Sequence, residues 1–333
     1  MVFFVRKLIM WIMSLLMIPS LGLFGNFHGA YTPKKPYDVK LTFAAISDTH
    51  ITDEKARQDM LGMGLVDMAE AEYPLDAIVH AGDITDHGNT DMWENVAGAF
   101  EKYNKVPNVI LAEGNHDTWN NEEDGDDRFP ESKELFIKYN KIIANRELDN
   151  VYYSTKVNGY TFIVLGSERD NTNAYISDTQ LEWFKAEMDK AAEDGLPIFV
   201  VLHQPINGTH GLPDTWELFD DPDPDEGGIG DQSDEVEAIL KSYDNVFFIS
   251  GHVHSGIGDK VSSVVSGYKS IESEGSFHSI NLPTYMYTNA LKGIATNCTG
   301  FSFEVYENEV VVRARCFASS TWYTCYDYTI PLV

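Results

Sequence analysis

Val109-Ile110-Leu111-Ala112-Glu113-Gly114-Asn115-His116-Asp117 begins as an apolar run and ends, past a glycine, in an amide, an imidazole and a carboxylate. Four apolar residues in a row suit a strand buried on both faces. The glycine stops it where the backbone has to turn. Within a few positions the chain changes from packing residues to groups that bind cations and move protons, so the stretch reads as a strand end that carries chemistry. Taken alone, Gly114–Asp117 reads equally well as a tight turn with polar decoration. Its weight comes from recurrence.

The same transition appears on both sides of it. Leu41 to Ile46 runs into Ser47-Asp48-Thr49-His50, and Ala77 to His80 runs into Gly82-Asp83-Ile84-Thr85-Asp86. Downstream, Pro197 to Leu202 ends on His203, and Val246 to Ser250 closes on Gly251-His252-Val253-His254. Helical spacing separates these runs over Lys55–Glu72, Thr90–Tyr103, Ser132–Ile143, Asp178–Glu193 with Ser177 or Asp178 as its cap, and Ser233–Leu240. Tyr152-Tyr153-Ser154 and Tyr160–Leu165 are expected to pair through Asn158-Gly159, a two-residue hairpin signal. From Gly275 the pattern is β, with strands expected over Phe301–Tyr306, Val310–Phe317 and Tyr326–Leu332. This alternation is α/β, and in such sheets ligands sit beyond the carboxyl ends of the strands. No repeat or linker divides the chain, so one catalytic domain is expected over 38–333, its C-terminal β region starting at about 275.

The polar strand ends are Asp48, His50, Asp83, Asn115, His116, His203, His252 and His254. Residues two apart on an extended segment face the same side, so Asp48/His50 and His252/His254 are each prepared to chelate. A lone histidine at a strand end is more often a satisfied structural residue, but eight such groups at successive strand ends are poorly explained that way. Carboxylates, one amide and four imidazoles suit two borderline divalent ions such as Mn, Zn or Fe. Asp86 reads as a helix cap and His87 lies near the same loops. Arg128 and His210 are candidates to contact a substrate phosphate.

On these residues the chain resembles the calcineurin-like metallophosphoesterase superfamily, whose ordered signature DxH, GD, GNH(D/E), H and GHxH stands here in full between residues 40 and 256. The resemblance implies a double β-sandwich flanked by helices, a four-layer α/β/β/α arrangement with a binuclear metal site at the strand ends. It further implies Asp48, His50, Asp83 and His254 for the first ion, with Asp83 as a bridge to a second held by Asn115, His203 and His252. Phosphoryl transfer fits such a set. Two ions about 3.5–4 Å apart hold the equatorial oxygens and activate a bridging hydroxide for in-line attack. His116 is then the general acid for the leaving oxygen, with Asp117 holding its tautomer. Asp86 stands where purple acid phosphatases carry a tyrosine ligand, and the chain has no room for the extra domain of long 5′-nucleotidases. The expected substrate is a small phosphoester, with a lean to diesters. Phosphomonoesters, or a catalytically silent exported scaffold, are the alternatives, and the complete ligand set favours an enzyme.

Composition bounds the rest. The 333 residues are 43% hydrophobic, enough for a large core, and 52 acidic against 24 basic residues give a net charge of −28. Such a surface repels polyanions, so tight binding to nucleic-acid polymers is not expected. Arg6-Lys7 followed by an apolar run to Phe24 is read, within residues 1–30, as a secretory signal, with an uncleaved N-terminal anchor as the alternative and the only expected membrane contact. Cys298, Cys316 and Cys325 allow at most one disulfide, either Cys316–Cys325 or none. The acidic stretch Asn120–Arg128 is expected at the rim of the site, its carboxylates facing water or a calcium ion. Asn207–Asp231, rich in Gly, Pro and Asp, is expected to be exposed.

Overall fold

The computed structural model describes residues 26–118, 128–169, 172–216, 226–258, 268–286 and 297–333. In chain order its elements are β1 (Asn26–His28), β2 (Leu41–Ile46), α1 (Lys55–Ala69), β3 (Ala77–Ala81), α2 (Thr90–Tyr103), β4 (Asn108–Ala112) and α3 (Asn115–Thr118). These are followed by α4 (Phe129–Ala144), β5 (Tyr153–Val157), β6 (Tyr160–Val164), α5 (Asp178–Ala192), β7 (Ile198–Val201), α6 (Ser233–Leu240) and β8 (Val246–Ser250). The last are β9 (Ile271–Glu274), β10 (Phe277–Asn281), β11 (Thr299–Val305), β12 (Glu309–Cys316) and β13 (Thr321–Pro331). They form a seven-stranded sheet, β1-β13-β12-β11-β2-β3-β4, and a six-stranded sheet, β5-β6-β7-β8-β10-β9.

Both sheets are covered on both sides, which is why their central strands read as unbroken apolar runs. In the second sheet the pleat sorts the side chains. Phe162, Val164, Phe199, Val201, Phe247 and Ile249 enter the core between the sheets. Their neighbours Ile163, Leu165, Ile198, Val200, Val246 and Phe248 enter the core shared with Phe184 and Met188 of α5 and Val236 and Leu240 of α6. Leu61, Leu65 and Met68 of α1, Trp93 and Phe100 of α2 and Phe136 of α4 are buried with the first sheet. The four-layer architecture follows. At the centre Phe43 stacks on Phe303 at 4.5 Å and meets Phe199 edge-on at 5.0 Å, joining the two sheets. Each such buried phenyl contributes about 1.5–3 kcal/mol.

Strand direction places the chemistry. β2, β3 and β4 are parallel, as are β6, β7 and β8, so the loops following β2, β3, β4, β7 and β8 leave from carboxyl ends. β4 is an edge strand, and side chains satisfy its outer main-chain groups: Tyr153 Oη accepts from Leu111 N and donates to Leu111 O, while Arg146 donates to Val109 O. The segment leading into Gly114 is thereby held on both sides.

Several expectations are corrected. Directly after Gly114, Asn115–Thr118 forms a short helical turn. β13 starts five residues before the expected Tyr326, with Trp322 paired to Arg315 after a register shift between Arg313 and Arg315. β1 and β9 were not foreseen; β1 pairs Phe27 with Trp322 at the sheet edge. No disulfide joins Cys316 to Cys325. All three cysteines are free, Cys298 and Cys316 buried and Cys325 exposed. The expected hairpin is present, with Asn158 at φ 51° and Gly159 at φ 89° as its two turn residues. Residues 29–35 form a strap across the first sheet: Arg315 donates to Gly29 O and Arg313 to Thr32 O, and the Lys34 and Lys35 amides donate to Glu304 and Tyr306 Oη.

Candidate metal centre

Five strand ends deliver their side chains to one place. Asp48, His50, Asp83 and His254 form one group of potential ligands and Asp83, His203 and His252 another, the donor atoms within each group lying within 4.8 Å of one another. Asp83 belongs to both. His50 Nε2 lies 3.0 Å from His254 Nε2, and His252 Nδ1 lies 3.2 Å from His203 Nε2. His203 Nε2 is 3.1 Å from Asp83 Oδ2, and His50 Nε2 is 3.7 Å from the same oxygen. His254 Nε2 approaches Asp48 Oδ1 at 3.5 Å.

The local backbone is bent to achieve this. Asp48, His50, Asp83, His252 and His254 all have positive φ, between 41° and 70°. A side-chain-bearing residue there costs roughly 1–2 kcal/mol, and strain gathered at one site is a mark of function. The loops hold it by pairing with each other, Asp48 N donating to Gly82 O and His50 N to Asp83 O, both at 3.0 Å. Gly114 lies against Asp83 so closely that a Cβ would overlap its carboxylate and its amide nitrogen.

Buried polar atoms show what the cluster suits. Asp48 Oδ2 and Asn115 Oδ1 are buried without a hydrogen-bond partner. Each such group costs about 1–3 kcal/mol if nothing meets it. Oxygen and imidazole donors converging from several loops, with those oxygens unmatched, fit divalent cations. His203 Nδ1 donates to Ala81 O at 2.8 Å, which aims Nε2 at Asp83. With protein groups alone, burial disfavours the His203 imidazolium but Asp83 outweighs it and raises the pKa to about 9. Burial likewise opposes the Asp83 carboxylate, yet His203 holds it well below the usual range. Burial drives His254 down to about 4 and His252 well below its ordinary value, keeping both neutral.

His116 is partly exposed beside this cluster, its ring edge-on to His50 at 4.6 Å. Its amide donates to Asp83 Oδ1, and its Nδ1 donates to the Asp86 carbonyl at 2.9 Å. Asp117 is not its partner. The Asp117 carboxylate is buried and accepts from the amides of Ile84, Thr85 and Gly114 and from Thr85 Oγ1. Burial, with Asp83 adding to it, raises its pKa to about 6 against those bonds. Asp117 therefore staples the loops after β3 and β4 together. The residue that does face the histidines is Asp86, with Oδ1 3.1 Å from His50 Nδ1 and 3.9 Å from His116 Nδ1, and Oδ2 3.4 Å from Arg57. Asp86 is not a helix cap, since Asn89 caps α2 by accepting from Met92 N. The D-x-x-D spacing from Asp83 to Asp86 was the available signal.

His210 does not reach a substrate: it is buried, with one ring nitrogen on Lys269 O and the other on Ser279 Oγ. Arg128 pairs with Glu131 at 2.8 Å at the start of α4. The expected rim and calcium stretch falls largely on 119–127, and the signal or anchor on 1–25, both outside the described residues. Among the described residues no helix is long and apolar enough to cross a membrane.

Residues 41–256 match the family model for calcineurin-like phosphoesterases. A probable cyclic nucleotide phosphodiesterase of Rhodococcus erythropolis is 27% identical over 221 residues, 63% of this chain and 63% of the relative's own length. One from Fibrobacter succinogenes is 28% identical over 220 residues, 65% of this chain and 73% of the relative. A dimetal phosphatase from Danio rerio superposes with a TM-score of 0.59 at 16% identity, covering 89% of this chain and all of that one, which is a likeness of fold.

Proposed function

Because the chain belongs to the calcineurin-like phosphoesterase family, we propose that it is a two-metal phosphoester hydrolase acting on small phosphodiesters. The observation that carries this is Asp83, shared by two ligand groups whose other members come from three different strand ends. Asp48, His50, Asp83 and His254 would hold one ion, and Asp83, Asn115, His203 and His252 the other. Such ions, when bound, neutralise phosphoryl oxygens and supply a nucleophile at neutral pH by lowering the pKa of bound water.

The chain's own groups do the rest. His116 Nδ1–H is held by the Asp86 carbonyl, which leaves Nε2 as the proton donor to a departing ester oxygen. Asp86 carries the negative charge that stabilises the imidazolium, and Arg57 fixes it through its carboxylate while donating to His50 O at 2.7 Å. Asp117 sets the distance between the loops that bear Asp83 and Asn115. The lean to diesters is supported by the two relatives described as probable cyclic nucleotide phosphodiesterases. Export is part of the same proposal and is supported by Arg6-Lys7 and the apolar run behind them.

The test is a panel of phosphodiesters, cyclic nucleotides among them, and phosphomonoesters, assayed with Mn, Zn, Fe and Mg. Higher kcat/KM on diesters is expected. Faster turnover of monoesters would overturn the substrate class, and no turnover with any metal would favour a silent scaffold.

A further inference from the structure

The stretch 207–216 has no counterpart in the family signature, yet it is docked onto the metal centre. His210 rivets it to the second sheet: its amide donates to Glu272, its ring contacts Lys269 O at 2.6 Å and Ser279 Oγ at 2.8 Å, and Thr215 Oγ1 donates back to His210 O. Beyond the rivet, Leu212 packs with Val253 and Tyr268 in a small separate core, with Trp216 against it. The Trp216 indole lies flat on the His252 imidazole, with centroids 4.4 Å apart and planes 20° from parallel. Gly227 returns against the same indole so tightly that a Cβ there would meet the ring at 2.8 Å.

His252 needs such a clamp. Its Nδ1 faces His203 Nε2, while its Nε2 is buried with no hydrogen-bond partner. Histidine ligands are ordinarily oriented by a hydrogen bond to the second ring nitrogen; here that bond is missing and a flat aromatic surface stands in its place. Stacking of this kind is attractive beyond burial alone. It fixes the plane in which the Nδ1 lone pair points. We infer that Trp216 is a positioning residue for the second ion, holding the His252 ring by stacking, with His210 anchoring the loop that carries it. This rests on the two-ion reading given above.

The test is equilibrium dialysis of the full chain against Mn²⁺, with metal content measured for wild type, Trp216→Phe and Trp216→Ala. Two ions are expected in the wild type. Trp216→Ala should weaken one of them about 10–100-fold, as loss of an outer-shell partner does, and leave the other unchanged, while Trp216→Phe keeps a stacking ring and stays near wild type. The wild-type indole emission should also change with one of the two binding steps, and that component should be missing in Trp216→Phe. The inference is overturned if Trp216→Ala binds both ions normally, if both weaken together, or if Trp216→Phe is as weak as Trp216→Ala. Should Trp216→Ala fail to fold, Trp216→Phe and the emission difference still decide. A wild type that binds fewer than two ions overturns the two-ion reading itself.

Discussion

His116 and Asp117 are adjacent, yet their side chains make different contacts. A carbonyl can only accept, so the Asp86 oxygen fixes the proton of His116 on Nδ1 and directs Nε2 outward. If Nε2 protonates the leaving oxygen, its value depends on how basic that oxygen is. His116→Ala should lose about 10²–10⁴ in rate with alkyl leaving groups and far less with nitrophenyl esters. The measurement is log rate against leaving-group pKa at full metal occupancy, and parallel lines for wild type and variant would remove the general-acid role. Asp117→Asn should behave otherwise. An amide cannot accept from four donors with both ends, so about 1–3 kcal/mol of stability should go, read by denaturant unfolding. Its leaving-group slope should match that of wild type, because the Asp117 carboxylate is taken up by the amides of Ile84, Thr85 and Gly114 and by Thr85 Oγ1.

The turn from β4 into α3 shows what patterning reveals and what it hides. Gly114 sits against Asp83, so Gly114→Ala should push the shared ligand out of place. Metal retention in dialysis should fall for both ions, together with about 1–3 kcal/mol of stability from overpacking; loss of a single ion would contradict the shared role of Asp83. Val109 to Asp117 was readable because a strand buried on both faces leaves a continuous apolar run and its ligands follow within a few residues. The partner of His116 was not readable. Successive residues on a helical turn point about 100° apart, so Asp117 turns away from His116 toward the amides of Ile84 and Thr85, while Asp86 arrives from another loop. Residues 207–216, part of the stretch expected to be exposed, differ from that expectation for a related reason. Glycine, proline and aspartate suggested exposure, but His210 meets both of its hydrogen-bonding needs internally, and nothing in its neighbours shows that. β1 and β9 are too short, three and four residues, to display a period.

Across the molecule, the first sheet depends on chain segments far apart in sequence. Arg315 is fully buried, forms a bidentate pair with Asp67 and donates to Gly29 O at 3.0 Å. A chain beginning at Tyr31 loses that acceptor and β1 with it. It should be less stable than one beginning at Asn26 by about 1–3 kcal/mol, as measured by urea unfolding, and equal midpoints would show that residues 26–30 contribute nothing. The place of β2 in the sheet has a consequence of another kind. This strand, which leads into Asp48 and His50, lies between β3 and β11, so one of its neighbours is residues 299–305. During synthesis those residues emerge some 250 positions after β2, and His254 some 200 after His50. A metal site has little affinity before its fold exists. In a chain that takes up its ions through these residues, capture would therefore be a late event, and the ion acquired would be set by the conditions in which folding finishes, not by those in which translation begins.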